Sequence, residues 1–120
     1  LRDAAQVTHK ILIVDDNQAN CDLLEAYLVD FDCEVDFARD GDAALKKAVS
    51  FEPDLILLDV MMPKLSGFEV CRRLRADDTT KGVAILMITA LDQTTDVETA
   101  VESGTDDFTT KPINKTELLL

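Results

Sequence analysis

Apolar residues fall along this chain in short runs separated by amphipathic stretches. KILIV (10–14), CEVDF (33–37), DLILL (54–58), AILMIT (84–89) and DDFTT (106–110) read as β-strands. The first, third and fourth are almost unbroken in apolar character, the mark of parallel strands buried on both faces. The second alternates and the fifth is short and polar, which suits positions nearer the sheet edges.

The stretches between them carry the helical period. Residues 18–31 stripe Leu23, Leu24, Tyr27, Leu28 and Phe31, with Asn17 as a cap. Residues 41–51 follow Asp40-Gly41 and stripe Ala44, Leu45 and Ala48, and residues 67–76 open at Ser66-Gly67 and stripe Phe68, Cys71 and Leu74. Residues 93–103 stripe Val97, Ala100 and Val101 and stop at Gly104. A last helix starts near Asn114, where Asn-Lys-Thr-Glu resembles a capping sequence. It is cut short at Leu120, so the chain reads as a domain taken from something longer.

Regular alternation of strand and helix predicts an α/β domain, a parallel sheet with helices on both faces joined by right-handed crossovers. A chain of 120 residues supports one core and not two. The opening LRDAAQVTHK lacks the apolar centre of a signal peptide, so residues 1–9 read as a leader or linker and 10–120 as the domain. No apolar run approaches the roughly 20 residues of a membrane helix. A net charge of −12 weighs against direct binding to nucleic acid, whose phosphates reward lysine and arginine. Cys21, Cys33 and Cys71 are odd in number and lack metal-ligand spacing. They read as small buried or half-buried hydrophobes in a reducing cytoplasm.

The chemistry begins with LILLDVMMP (55–63), where a greasy strand runs into a carboxylate, and with ILIVDD (11–16), which does the same. In open parallel sheets, ligands sit beyond the carboxyl ends of the strands. If the first and third strands are neighbours, Asp15, Asp16 and Asp59 converge on one crevice and repel one another unless a cation binds among them. Oxygen donors without histidine or thiolate suit a hard divalent ion, Mg²⁺ above all. Thr89 ends the fourth strand with a hydroxyl and Lys111 follows the fifth. Metal, ammonium and hydroxyl together suit a phosphoryl group. Each of these residues taken singly is more often a cap, a turn residue or solvated surface. Their shared position at the strand ends is what argues for a site.

These residues, in this order, resemble a bacterial two-component response-regulator receiver domain of the CheY-like kind. The likeness runs from Lys10 to the end. It is carried by DD at 15–16, LLDVMMP with Asp59, the step from Pro63 to Gly67, TA at 89–90 and KP at 111–112. It implies a flavodoxin-like doubly wound five-stranded sheet of order 2-1-3-4-5, which a chemotaxis receiver exemplifies. It further implies Asp59 as phosphoacceptor, taking a phosphoryl group from a sensor histidine kinase or phosphotransfer protein. Asp16, Asp59 and the Met61 backbone carbonyl would hold Mg²⁺, with Asp15 acting through water. Thr89 and Lys111 would bind phosphoryl oxygens, Thr89 and Phe108 would form the switch, and the bond before Pro112 would be cis.

Two details qualify the resemblance. Phe108 replaces the common tyrosine, so its inward state gains no hydroxyl bond. Met61, two residues after Asp59, offers no group to position an attacking water, which leans toward a longer-lived phosphoryl state. The implied output is homodimerisation or contact with an effector domain, diguanylate cyclase among the candidates, in a response regulator or hybrid kinase. The implied role is signalling and not enzymatic turnover. A haloacid-dehalogenase-type phosphatase would want an aspartate where Met61 stands. An inert interaction module would not need Asp16, Asp59, Thr89 and Lys111 together. A nucleotide or flavin domain would want a glycine-rich loop after the first strand. His9 reads as inert, and Arg72 and Arg73 read as a solvated face.

Overall fold

The computed structural model describes residues 9–62, 64–89 and 102–110, with the backbone alone at 89 and 107–110. Its elements alternate in the expected order: β1 (His9–Val14), α1 (Gln18–Leu28), β2 (Cys33–Ala38), α2 (Gly41–Ser50), β3 (Leu55–Asp59), α3 (Gly67–Ala76), β4 (Ala84–Thr89) and β5 (Asp107–Thr110). The strands form one parallel sheet of order β2-β1-β3-β4-β5. This is the flavodoxin-like arrangement, with the alternating β2 and the short β5 at the edges.

Burial explains the unbroken apolar runs. Leu12 and Val14 of β1, Ile56 and Leu58 of β3, and Ile85 and Met87 of β4 pack on one face with Ala44 and Ala48 of α2 and Val70, Cys71 and Leu74 of α3. The residues between them, Ile11, Ile13, Leu57 and Ile88, pack on the opposite face with Cys21, Leu24 and Leu28 of α1. Every second side chain meets one layer and the rest meet the other, so no position in these strands has reason to be polar until the strand ends.

Helices α1, α2 and α3 each start on a side-chain cap. Asn17 accepts from the Asn20 amide, Asp40 from that of Ala43, and Ser66 from that of Glu69, at 3.2, 2.8 and 3.3 Å. These bonds satisfy amides that the helix start would leave orphaned. Gly104, the expected helix stop, follows helical Glu102 and Ser103 with φ +99°. The rest of the 93–103 helix and the helix expected from Asn114 lie outside the described residues.

The expected first helix is too long. α1 ends at Leu28, and Phe31 is 48% exposed beyond it. Helical spacing would place Phe31 above Leu28, but the chain turns at Val29 and Asp30 to reach β2 at Cys33. Leu23 also leaves the expected stripe, at 42% exposure, because α1 buries the face of Cys21, Leu24 and Leu28. All three cysteines are free, Cys21 and Cys71 buried and Cys33 half-buried.

Candidate functional site

The register of the central strands assembles the site. Val14 lies opposite Leu58 in the β1–β3 pair, so the next residues, Asp15 and Asp59, leave the sheet side by side. The Asp15 amide donates to the Ala38 carbonyl at 3.1 Å, carrying the β1–β2 ladder one residue further and fixing where the chain turns. Asp15 and Asp59 are 2% and 3% exposed, whereas Asp16 faces solvent. Carboxylate oxygens of the three all lie within 4.8 Å of one another. The sequence-based expectation that these acids meet is thus fulfilled.

Main-chain amides orient two of them. Asn17 donates to Asp15 Oδ1 at 2.9 Å, and Met61 donates to Asp59 Oδ1 at 3.3 Å. Beneath them, the buried Cys21 thiol donates to the Asp15 carbonyl at 3.5 Å. Burial, and after it the Asp15 charge, pushes this thiol's pKa up, so it stays a neutral floor to the site.

The loop after Asp59 is held as firmly. Val60 donates to Ile88 on β4, and Gly67 donates to Val60 at 3.0 Å. Val60 and Met62 are buried, while Met61 between them is 56% exposed at the mouth of the crevice. A Cβ on residue 67 would stand 2.3 Å from the Asp59 carbonyl oxygen and 2.8 Å from the Val60 Cα. Helix α3 therefore starts directly against the backbone of the acid-bearing strand end, which only glycine permits. This is the physical content of the glycine four residues after Pro63. Lys64 in the same loop adopts φ 69°, an unusual conformation for its type that no local motif foretold.

Thr89 is the last residue of β4, one past Ile88, which pairs with Asp59, and it lies opposite Thr110 of β5. Its backbone is thus at the same rim. The Thr89 and Phe108 side chains lie outside the described residues, as do Lys111 and Pro112. His9 opens β1 and stands exposed, 3.9 Å from Asp54. Arg72 and Arg73 are exposed and pair with Glu69 on their own helix. An apolar cleft of about 650 Å³ opens at the other end of the strands, lined by Ile11, Leu28, Phe31, Leu55 and Leu57, and holds none of the clustered acids.

One neighbour of the acids was not anticipated. Arg39, directly after β2, donates through Nη2 to the Asp16 carbonyl at 2.9 Å and through Nη1 to the Gln18 side chain. The signal was in the strand order, which places the end of β2 beside the end of β1.

The acids offer only hard oxygen donors, a set that fits Mg²⁺ and not a softer metal. Comparisons with known proteins agree with this chemistry. Response regulator PleD of Caulobacter vibrioides is 51% identical over 105 residues, which span 88% of this chain and 23% of that protein. Chemotaxis protein CheY4 of Vibrio cholerae superposes with a TM-score of 0.88 at 33% identity, covering 94% of each chain. The receiver domain of sensor histidine kinase PA1611 of Pseudomonas aeruginosa, solved with magnesium in its active-site cleft, superposes with a TM-score of 0.85 at 32% identity, covering 94% of this chain and 93% of that one. The chain spans roughly a quarter to a half of the curated relatives it matches. No described helix is long and apolar enough to cross a membrane. The family model for the response regulator receiver domain matches residues 11–120, and the chain belongs to that family, the receiver of two-component systems.

Proposed function

We propose that this domain accepts a phosphoryl group on Asp59 from the phosphohistidine of a sensor histidine kinase or phosphotransfer protein, in a Mg²⁺-dependent reaction in the cytoplasm. The observation that carries this reading is the meeting of Asp15, Asp16 and Asp59 within 4.8 Å at the strand ends. Asp16, Asp59 and the Met61 backbone carbonyl are the ligands we assign, with Asp15 acting through water. Mg²⁺, when bound, neutralises charge on the acids and on the incoming phosphoryl oxygens.

An Asp59 carboxylate oxygen attacks phosphorus, the P–N bond breaks, and the leaving imidazole keeps the electron pair. The Met61 amide, 3.3 Å from Asp59 Oδ1, keeps the carboxylate aimed. Burial of Asp59 excludes bulk water from the nucleophile. Thr89 and Lys111 are assigned to phosphoryl oxygens, and Thr89 with Phe108 to the switch. Phosphorylation then biases a two-state face made of residues 93–103, β5 and the segment after Asn114. That face governs homodimerisation or contact with an effector domain, for which diguanylate cyclase is one candidate. We take residues 10–120 as the receiver unit, preceded by a leader whose last residue, His9, already pairs with Cys33 at the start of β1. Met61 supplies no acid to protonate a leaving alcohol, so turnover of external phosphomonoesters is not expected.

The test is incubation with acetyl phosphate and Mg²⁺ followed by intact mass measurement. Wild type gains one phosphoryl group, and Asp59→Asn gains none. A folded wild-type sample that neither gains mass nor binds beryllofluoride would identify an inert interaction module instead.

A further inference from the structure

The topology gives Arg39 its place. Ala38 ends β2 opposite Val14 of β1, so the chain leaving β2 passes the turn that carries Asp15 and Asp16. There Arg39 donates to the Asp16 carbonyl and to Gln18 Oε1. Gln18 in turn donates through Nε2 to Asp22 Oδ1 at 2.8 Å, one helical turn along α1. One guanidinium thus grips the β1–α1 turn on both sides of Asn17. Two directional bonds from a planar fork are something a lysine ammonium does not reproduce.

The three acids differ in how they are held. Asp15 and Asp59 are buried, and each accepts from a main-chain amide two residues on. Asp16 is exposed, and Arg39 restrains it through its main chain. We propose that Arg39 is a positioning residue: it locks the Asp16 turn in the conformation that brings this carboxylate to Asp15 and Asp59, and so sets the affinity for a divalent cation. The inference rests on the reading of the cluster as a Mg²⁺ site. Arg39 acts on that site in two opposed ways. Its positive charge repels a cation, and its fork pre-organises a ligand. The second effect prevails, because the charge is solvent-exposed and screened while the geometry is local.

The opposition of sign makes the test decisive. Mg²⁺ is titrated into wild type, Arg39→Ala and Arg39→Lys without any phosphodonor. Affinity is read by calorimetry, and the turn by the amide resonances of Asn17 and Gln18. Both variants are expected to keep the folded amide spectrum and to bind Mg²⁺ about tenfold more weakly, as outer partners of metal ligands typically do when lost. Arg39→Lys should be as weak as Arg39→Ala although it keeps the charge. Tighter or unchanged binding by Arg39→Ala overturns the proposal, as does wild-type affinity in Arg39→Lys. Wild type that binds no Mg²⁺ overturns the metal reading and this inference with it. Wild-type binding that the variants match overturns the role of Arg39 alone.

Discussion

At the amino-terminal rim of the sheet, charged groups meet opposite charges or backbone dipoles; at the carboxyl-terminal rim, backbone amides also hold Asp15 and Asp59, but three carboxylates are brought to one another. The Arg75 guanidinium donates to the carbonyls of Gly104, Lys81 and Val83 and, at 2.8 Å, to Asp106 Oδ2. That oxygen also accepts from the Ile85 amide at the start of β4. Lys10 donates to the Phe51 carbonyl and lies over its ring, and Asp54 accepts from the Lys10 amide. One rim spends its charges on closing loops. The other holds like charges within 4.8 Å, an arrangement whose use lies in what it binds. The same sheet thus serves stability at one end and chemistry at the other, and removing a charge should destabilise the domain at the first end and stabilise it at the second.

The largest effect should come from Gly67→Ala, which attacks the scaffold of the acidic rim. The new methyl would overlap the Asp59 carbonyl and the Val60 backbone, neither of which is a flexible side-chain end. Helix α3 must move away from β3, at about 3 kcal/mol, the upper part of the usual range for overpacking. Urea unfolding measures that loss. Labelling by acetyl phosphate should slow as well, because the backbone displaced is that of the proposed acceptor. Labelling at the wild-type rate in a destabilised protein would separate the scaffold from the site.

Arg75→Ala should come next, at about 2 kcal/mol, since it strips bonds from several half-buried carbonyls and leaves Asp106 without its cation. Gly104 cannot repair the gap by growing, because its φ of +99° strains any side chain placed there. Acceptance of phosphate at the far rim should survive below the melting transition. Lost labelling in a folded Arg75→Ala sample would show that the two rims are coupled and the division too sharp.

How much of this was legible in the chain follows from the same physics. Strands buried on both faces announce themselves by composition, so β1, β3 and β4, and the acids that close the first two, were readable from the sequence alone. The edge positions of β2 and β5 followed from their weaker patterns. Phe31 was misread because periodicity says which face a residue takes if the helix continues, not whether it continues. Lys64 at φ 69° carried no signal, being neither glycine nor asparagine. Arg39 drew no reading from the sequence because its partners, Asp16 and Gln18, are distant along the chain and meet it only through strand order.

Asp16→Asn should act with the opposite sign and a smaller size. Two unit charges about 5 Å apart repel by roughly 1 kcal/mol in water-like surroundings. Removing the exposed member of the cluster should therefore stabilise the metal-free domain by about that much. Wild type should regain the difference as Mg²⁺ is added, through selective binding to the folded state, and the variant should respond far less. Thermal melts with and without Mg²⁺ check both halves. A variant less stable than wild type without metal would mean that the three acids are not mutually repulsive as held here.

The smallest effect concerns an ion pair set away from both rims. Lys47 donates to Asp36 Oδ1 at 2.9 Å and to the Phe37 carbonyl, fastening α2 to the edge strand β2. Burial raises the Asp36 pKa, but hydrogen bonds from Lys47 and the Phe37 amide outweigh it and hold the carboxyl below its ordinary value. A folded pKa below the unfolded one, near 3.9 for aspartate, means that the unfolded chain takes up protons first as pH falls. The stability from this pair is therefore complete above the unfolded pKa and lost as pH drops through the folded one. Both side chains are more than a third exposed, so Lys47→Met should cost only a few tenths of a kcal/mol at pH 7, and less in high salt. In acid that deficit should vanish, because a protonated Asp36 no longer rewards the lysine. Measured by urea unfolding from neutral to acid pH, Lys47→Met should converge on wild type from below, and a deficit that persists in acid would show that the lysine acts through something other than the Asp36 charge.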